Sequence, residues 1–152
     1  SWDGHGYFDA NFCSRALEDD FDFWTWGRFP MKDRALCIYD ATRRDGTTLD
    51  LAVEIDSAGG VREVSAPPRT RFARSLWQVK RETRADAGFM PRQRLNMLDA
   101  PFYSRSLVET RLDGETTTGV HEALDLTRFR QPLLKPMLAV RVPRRRGWTF
   151  PD

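Results

Sequence analysis

The chain has 152 residues, of which 40% are hydrophobic, and this length supports one domain with its own core rather than two. Lys and Arg number 24 against 22 Asp and Glu, and the net charge of +2 is too small to indicate a nucleic-acid partner, so none is predicted. No apolar run reaches the length of a membrane-spanning helix, about 18 residues, and two cysteines with two histidines do not form a usual zinc site, so no metal is predicted.

The first element in chain order is a strand at residues 4–12, GHGYFDANF, which alternates between two kinds of residue. The odd positions are the hydrogen-bonding residues His5, Tyr7, Asp9 and Asn11. The even positions are Gly6, Phe8, Ala10 and Phe12. Because side chains two apart share one face of a strand, this pattern predicts a polar row opposite an apolar one. The polar row either faces solvent, with the Phe side chains in the core, or lines a ligand cavity.

Alternation and turn residues predict further strands along the chain. The clearest covers residues 49–55, after the turn signal of Asp45 and Gly46, and Asp113 with Gly114 marks a second hairpin. The other predicted strands are 23–29, 36–39, 61–65, 72–82, 93–98, 103–112, 115–123 and 137–142, with helical turns at 14–21 and 124–129. Turn signals recur about every ten residues and no helical stripe persists, which predicts an all-β antiparallel sandwich or closed barrel.

Asp9 is the main candidate for chemistry. A carboxyl group surrounded by apolar and aromatic side chains favours its neutral form and can then act as a general acid. Aromatic side chains are dense in the first thirty residues, and they either stabilise a cation or pack as ordinary core. Weaker candidates are Asp99, Tyr103 and His121, the last of which is better interpreted as a structural or surface histidine.

Known catalytic signatures are missing from the sequence. It contains no nucleophile elbow, no phosphate-binding glycine loop, no dinucleotide fingerprint and no His-Glu-Xaa-Xaa-His. Chemistry without a cofactor is therefore the prediction.

Basic residues form two clusters in sequence. The first comprises Arg69, Arg71, Arg74, Lys80, Arg81 and Arg84, and the second comprises Arg141, Arg144, Arg145 and Arg146. Each cluster is either a solvated basic face or a contact with an anionic membrane surface.

Five segments carry a resemblance to a known family: GYFDANF, RALEDDFDFWTWGRFP, IYDATRRDG, APFYSRSLVETRLDGE and GVHEALDLTRFRQPLL. Together they resemble the C-terminal part of the acyclic carotenoid 1,2-hydratases, also called hydroxyneurosporene synthases. The resemblance implies one lipocalin-like β domain over residues 1–152, with a catalytic lead-in strand at 4–12. It also implies that this domain is the second of two, so that an N-terminal domain of the same protein is a partner.

The resemblance further implies a reaction. Water adds, without a cofactor, to the terminal C1=C2 double bond of acyclic carotenoids such as lycopene and neurosporene, giving a tertiary alcohol. The Tyr-Phe-Asp motif falls on Tyr7 and Asp9, where Asp9 protonates C2 and Tyr7 supports it, and His5 is a candidate base for the attacking water. Aromatic residues expected to contact the substrate are Trp24, Trp26, Phe8 and Phe12. The expected location is the bacterial cytoplasm, peripheral to the inner or intracytoplasmic membrane.

Other functions fit the same residues. A lipocalin-like binding module would hold a hydrophobic ligand without transforming it, and it would need the cavity but no acid at Asp9. These residues could also serve as a scaffold for the N-terminal domain, or the same acid and aromatic groups could promote terpenoid cyclisation if water were kept from the cation.

Overall fold

The computed structural model describes Phe12 and residues 14–139. Within these residues the elements in chain order are α1 (Leu17–Asp20), β1 (Phe21–Pro30), β2 (Arg34–Arg43), β3 (Thr48–Asp56), β4 (Val61–Val64), β5 (Arg69–Phe72), β6 (Arg81–Arg84), β7 (Arg92–Asp99), β8 (Tyr103–Leu112), β9 (Glu115–Asp125), α2 (Leu126–Phe129) and a 3₁₀ helix (Lys135–Ala139).

The described strands form two antiparallel sheets. The large sheet has seven strands in the order β4-β3-β2-β1-β9-β8-β7, and the small sheet pairs β5 with β6. The predicted all-β antiparallel class is therefore confirmed. Strands β4 and β7 are the edges of the large sheet, so the described part is an open sheet with a second sheet against it rather than a closed barrel.

The side of the large sheet that faces the small sheet, here called the inner face, carries the main hydrophobic core. The buried members of this core are Phe29, Leu36, Ile38, Ala52, Phe72, Val108 and Leu112. Hydrogen bonds attach β6 to this face, among them two to its backbone: His121 Nε2 lies 2.8 Å from the carbonyl oxygen of Glu82, and Thr110 Oγ1 donates to that of Arg84 at 2.8 Å. The core therefore lies between the two sheets.

Glycine at two inner-face positions makes room for Phe29, which is fully buried. A Cβ added to Gly27 would lie 2.6 Å from the Phe29 ring. A Cβ added to Gly119 would lie 2.8 Å from Phe29 Cα and would also meet the carbonyl oxygen of Arg28. Since any other residue would displace the ring or the backbone of β1, this packing requires glycine on β9.

The strongest turn signals are confirmed. Asp113 and Gly114 connect β8 to β9 with φ angles of 52° and 81°, and positive φ at both positions is what a two-residue hairpin turn of this kind needs. The hairpin predicted around Asp45 and Gly46 joins β2 to β3 in antiparallel register. The helical turns predicted in 14–21 and 124–129 are α1 and α2, although α1 follows Ala16 rather than Ser14.

Two predicted strands are wrong. Residues 72–82 do not form one strand, because β5 ends at Phe72 and β6 begins at Arg81. A tight turn lies between them, and the Arg81 side chain holds it by donating to the carbonyl oxygens of Ala73 and Arg74. The second wrong strand is 137–142, because residues 137–139 belong to the 3₁₀ helix. Pro136 is the second residue of this helix, a position where proline suits the first helical turn. Residues 140–142 lie outside the described residues.

Candidate functional site

The side of the large sheet opposite the small one, here called the outer face, is the candidate functional site. Alternation along β1 places Trp24 and Trp26 on this face, since Phe29 and Gly27 point to the inner one. Strand register adds further apolar and aromatic neighbours, which are Tyr39, Leu51, Val53, Leu107, Val120 and Leu124. These side chains span five adjacent strands, a width of about 19 Å at the usual spacing. The outer face is thus an elongated surface rich in apolar side chains, on which Arg28 of β1 also lies, in register with Cys37 and Val120.

Trp24 and Trp26 were predicted to contact the substrate, and the structure brings them together at the centre of this face. Trp26 is 8% exposed, and its ring packs edge-on against Tyr39 with centroids 6.3 Å apart and an interplanar angle of 61°. Trp24 is half-buried and lies opposite Ala41 and Leu124. Their contact with a substrate stays a prediction.

A small polar group interrupts this apolar surface beside Trp26. Glu122 is the register partner of Trp26 on β9, and Arg105 Nε lies 3.4 Å from Glu122 Oε1. Burial, together with the adjacent charge of Glu122 and a hydrogen bond to it, raises the pKa of Tyr103. Tyr103 therefore stays protonated at neutral pH and donates to the carboxylate.

Sequence reasoning named Tyr103 as a weak candidate and missed Glu122. The signal was present in β9, where Glu122 alternates with Val120 and Leu124 and so shares their face. A carboxylate between apolar residues on a strand face can orient water or face a developing cation.

The predicted catalytic residues lie outside the described part of the chain. This holds for His5, Tyr7 and Asp9, for Phe8, and for the lead-in strand at 4–12 that carries them. Phe12 is described and is 93% exposed. All of these assignments stay predictions.

His121 belongs to the inner face and is structural, one of the two alternatives that the sequence left for it. Its side chain is 1% exposed, and Phe72 packs edge-on against the ring at 5.2 Å. Burial lowers the pKa of His121 to about 4, so the ring is neutral at pH 7 and its Nε2 proton goes to the Glu82 carbonyl oxygen. Asp99 also makes a structural contact, since its Oδ2 accepts a hydrogen bond from the Leu76 amide at 2.6 Å.

The first basic cluster does not form one solvated basic face, which corrects that interpretation, and its contact with an anionic membrane surface stays a prediction. Arg81 and Arg84 are buried, and Arg84 donates to Asp40 at 2.5 and 3.0 Å and to Asp50 at 2.5 Å. Arg69 pairs with Asp50 as well. Carboxylates from β2 and β3 therefore neutralise much of this charge beneath the surface. The second cluster, 141–146, lies outside the described residues.

Among Phe12 and residues 14–139, no group of three or more His, Cys, Asp or Glu side chains is arranged to hold a metal ion. In the same part of the chain, no helix has both the length and the apolar character needed to cross a membrane.

Comparison with known proteins shows the family. The profile of the family described as Carotenoid hydratase CrtC matches residues 1–151. The chain is 64% identical over 149 residues to the acyclic carotenoid 1,2-hydratase of Cereibacter sphaeroides, covering 98% of the chain and 53% of that protein. It is 63% identical over 152 residues to the acyclic carotenoid 1,2-hydratase of Rhodobacter capsulatus, covering 99% of the chain and 54% of that protein. The chain belongs to the carotenoid hydratase CrtC family, as its motifs predicted, and it spans about half the length of these relatives.

A solved structure supports the fold. A putative AttH from Nitrosomonas europaea aligns with a TM-score of 0.54 at 19% identity, over 74% of this chain and 42% of that one. At this identity the likeness bears on fold alone. It agrees with the antiparallel, lipocalin-like class predicted from the sequence.

Proposed function

We propose that the protein containing this chain is a hydro-lyase that adds water to the terminal C1=C2 double bond of acyclic carotenoids. The observation that carries the proposal is the 64% identity to an acyclic carotenoid 1,2-hydratase across 98% of the chain. The proposed substrates are lycopene and neurosporene, and the product is a 1-hydroxy tertiary alcohol. The reaction uses no cofactor.

The outer face supports binding of such a substrate. A polyene is almost wholly apolar, and burial of its surface stabilises the complex by about 25 cal/mol per Å². Trp24 and Trp26 contribute aromatic surface at the centre of the face, and Leu107 and Val120 extend it on the β8 side. We assign Phe8 and Phe12 to the same contact.

Asp9 is the general acid of the proposed mechanism. A carboxyl group in an apolar, aromatic surrounding favours its protonated form, which can transfer the proton to C2 of the alkene. Protonation at C2 gives the tertiary cation at C1, the more stable of the two, and water attacks there. Tyr7, two residues away on the same face of the lead-in strand, holds the carboxyl group. His5 accepts the proton that the attacking water releases.

The outer face also supports stabilisation of the cation. The faces of Trp24 and Trp26 attract positive charge. Glu122, in register with Trp26, adds a carboxylate whose position Tyr103 and Arg105 hold. In this proposal the cation forms near these groups.

We propose that residues 1–152 form one domain with its lead-in strand at 4–12, and that the remaining half of the protein is an N-terminal domain that completes the pocket. The protein is cytoplasmic and peripheral to a bacterial inner or intracytoplasmic membrane, where its substrate resides. No nucleic acid takes part.

The test is Asp9→Asn in the full-length protein, supplied with lycopene in H₂¹⁸O. Loss of a general acid costs about 10² to 10⁴ in rate, so label incorporation should nearly vanish while carotenoid binding persists. Asp33→Asn is the matched control, because its side chain is 73% exposed, and it should retain activity. Undiminished ¹⁸O incorporation by Asp9→Asn would refute the role of Asp9.

A binding module that leaves its ligand unchanged is the second candidate, and the apolar outer face favours it as much as a hydratase. The wild-type protein in the same experiment separates the two. Bound carotenoid without any ¹⁸O in the product would support the binding module.

A further inference from the structure

A tight turn at residues 75–78 displays two large apolar side chains to solvent. Leu76 is 82% exposed and Trp77 is 52% exposed, whereas Ser75 and Val79 on either side are buried. Exposure of two adjacent large apolar side chains forgoes the stabilisation of burying them, and exposed apolar patches are typical of interaction sites.

The backbone of this turn is fixed by its own hydrogen bonds. The Gln78 amide donates to the Ser75 carbonyl oxygen at 2.9 Å, and the Ser75 amide donates to that of Val79 at 3.1 Å. The Val79 amide donates to Ser75 Oγ at 3.2 Å. Gln78 has a φ of 62°, which is uncommon for a residue other than glycine and which closes the turn.

Groups outside the turn hold it in place. Asp99 Oδ2 accepts the Leu76 amide at 2.6 Å, and Arg128 Nη1 donates to the Trp77 carbonyl oxygen at 2.8 Å. The buried Arg81 holds the preceding segment through the carbonyl oxygens of Ala73 and Arg74. Leu76 and Trp77 thus project from a rigid support, which lowers the entropy cost of binding through them.

Both apolar and basic side chains lie near the turn. Met97 and Leu98 precede Asp99 on the edge strand β7 and are 46% and 52% exposed. The basic side chains are those of Arg74, which is exposed and donates to the Gln78 carbonyl oxygen at 3.1 Å, and Arg128, which is 35% exposed and pairs with Asp125 at 3.3 Å. Asp99 lies here too, but its Oδ2 is engaged by the turn.

We propose that the turn at residues 75–78 docks the protein on an anionic lipid bilayer, with Leu76 and Trp77 entering the interface and Arg74 facing the headgroups. Trp and Leu are suited to this depth, because the interface accepts apolar surface and also the indole N–H. Basic side chains beside them add attraction to anionic headgroups. This inference rests on the proposed function, since a carotenoid substrate resides in the lipid bilayer and the enzyme must reach it there.

Vesicle flotation of the full-length protein tests the proposal. Wild type should float with vesicles of phosphatidylcholine and phosphatidylglycerol, and less with phosphatidylcholine alone. Leu76→Ser/Trp77→Ser should weaken binding by about 10-fold or more, since two apolar contacts are lost. The matched control is Val61→Ser, which is 67% exposed on β4 at the opposite edge of the sheet, and it should float like wild type.

Two outcomes would overturn the proposal. One is flotation of Leu76→Ser/Trp77→Ser equal to that of wild type with an unchanged melting temperature. The other is flotation equal to that of wild type with a lower melting temperature, which would assign the turn to a contact with the other half of the protein. Arg74→Gln should reduce flotation on the anionic vesicles only, and an equal loss on both vesicle types would contradict the role of charge.

A separate assay distinguishes this inference from the proposed function. With carotenoid dissolved in detergent, Leu76→Ser/Trp77→Ser should hydrate the substrate at the wild-type rate, because the turn contacts lipid and not the reacting bond. Asp9→Asn should show the reverse, with normal flotation and no turnover. A wild-type protein that floats but hydrates nothing would contradict the activity and leave the docking site in place.

Discussion

His121 on β9 and Glu82 on β6 join the two sheets through one buried hydrogen bond, in which His121 Nε2 donates to the Glu82 carbonyl oxygen at 2.8 Å. The geometry requires a neutral ring that carries its proton on Nε2. Burial holds the ring in that state by lowering its pKa to about 4. His121, which the sequence already favoured as a structural or surface histidine, therefore acts as a link between layers.

This link predicts acid sensitivity. Between the pKa of about 4 in the folded protein and about 6.5 in the unfolded chain, the unfolded chain binds the additional proton. Stability from His121 is complete above pH 6.5 and is lost as the pH falls towards 4, by about 3 kcal/mol in total. Urea unfolding of His121→Gln at pH 7 and pH 4.5 should show a smaller pH difference than wild type. Thr118→Ala, an exposed change on the same strand, is the control and should keep the wild-type difference.

The pair of Arg84 and Asp40 carries a second prediction. Both side chains are buried, and Arg84 contacts Asp40 through two hydrogen bonds. Removing the charge of Asp40 leaves a buried guanidinium with less compensation, so Asp40→Asn should lower the free energy of unfolding by about 3 kcal/mol. Arg94→Gln, in an exposed pair with Glu109, should cost less than about 1 kcal/mol. Equal losses in the two variants, measured by urea unfolding, would contradict this account.

Gly119 gives a third prediction. A Cβ at this position would meet the carbonyl oxygen of Arg28 and would lie 2.8 Å from Phe29 Cα, and both of these groups are backbone. Strand β1 must shift to accept it, so Gly119→Ala should destabilise the protein by about 3 kcal/mol, near the upper end for overpacked cores. The neighbouring Thr118 is exposed, and Thr118→Ala should stay within about 0.5 kcal/mol of wild type in thermal and urea unfolding.

Local signals predicted the regular part of the fold. The alternation in 49–55 and the Asp113 and Gly114 turn specify a strand and a hairpin through neighbours in sequence alone. Leu76 and Trp77 misled the prediction, because an apolar pair in a β-rich context favours a strand while here it marks an exposed turn. The periodicity of a sequence does not reveal that an apolar pair lies on an exposed turn.

The candidate site was predictable only in part. Alternation placed Trp24 and Trp26 on one face, but the position of Glu122 beside Trp26 depends on the register of β1 with β9, far apart in sequence. Burial of Arg84 likewise depends on Asp40, 44 residues away. Charged residues are rarely buried unless paired, so the sequence alone favoured a surface position for Arg84.

The outer face is expected to bind the polyene chain of the carotenoid. Trp24 is half-buried there, and Trp24→Leu removes aromatic area without exposing the inner core. Affinity for a carotenoid in detergent should fall about 10-fold, as expected when a good aromatic contact is lost. Trp77→Leu is the control, because Trp77 lies on the exposed turn away from this face, and its affinity should match wild type. The measurement is carotenoid binding followed by the absorbance shift of the polyene. Equal affinities in the two variants would show that the substrate binds elsewhere.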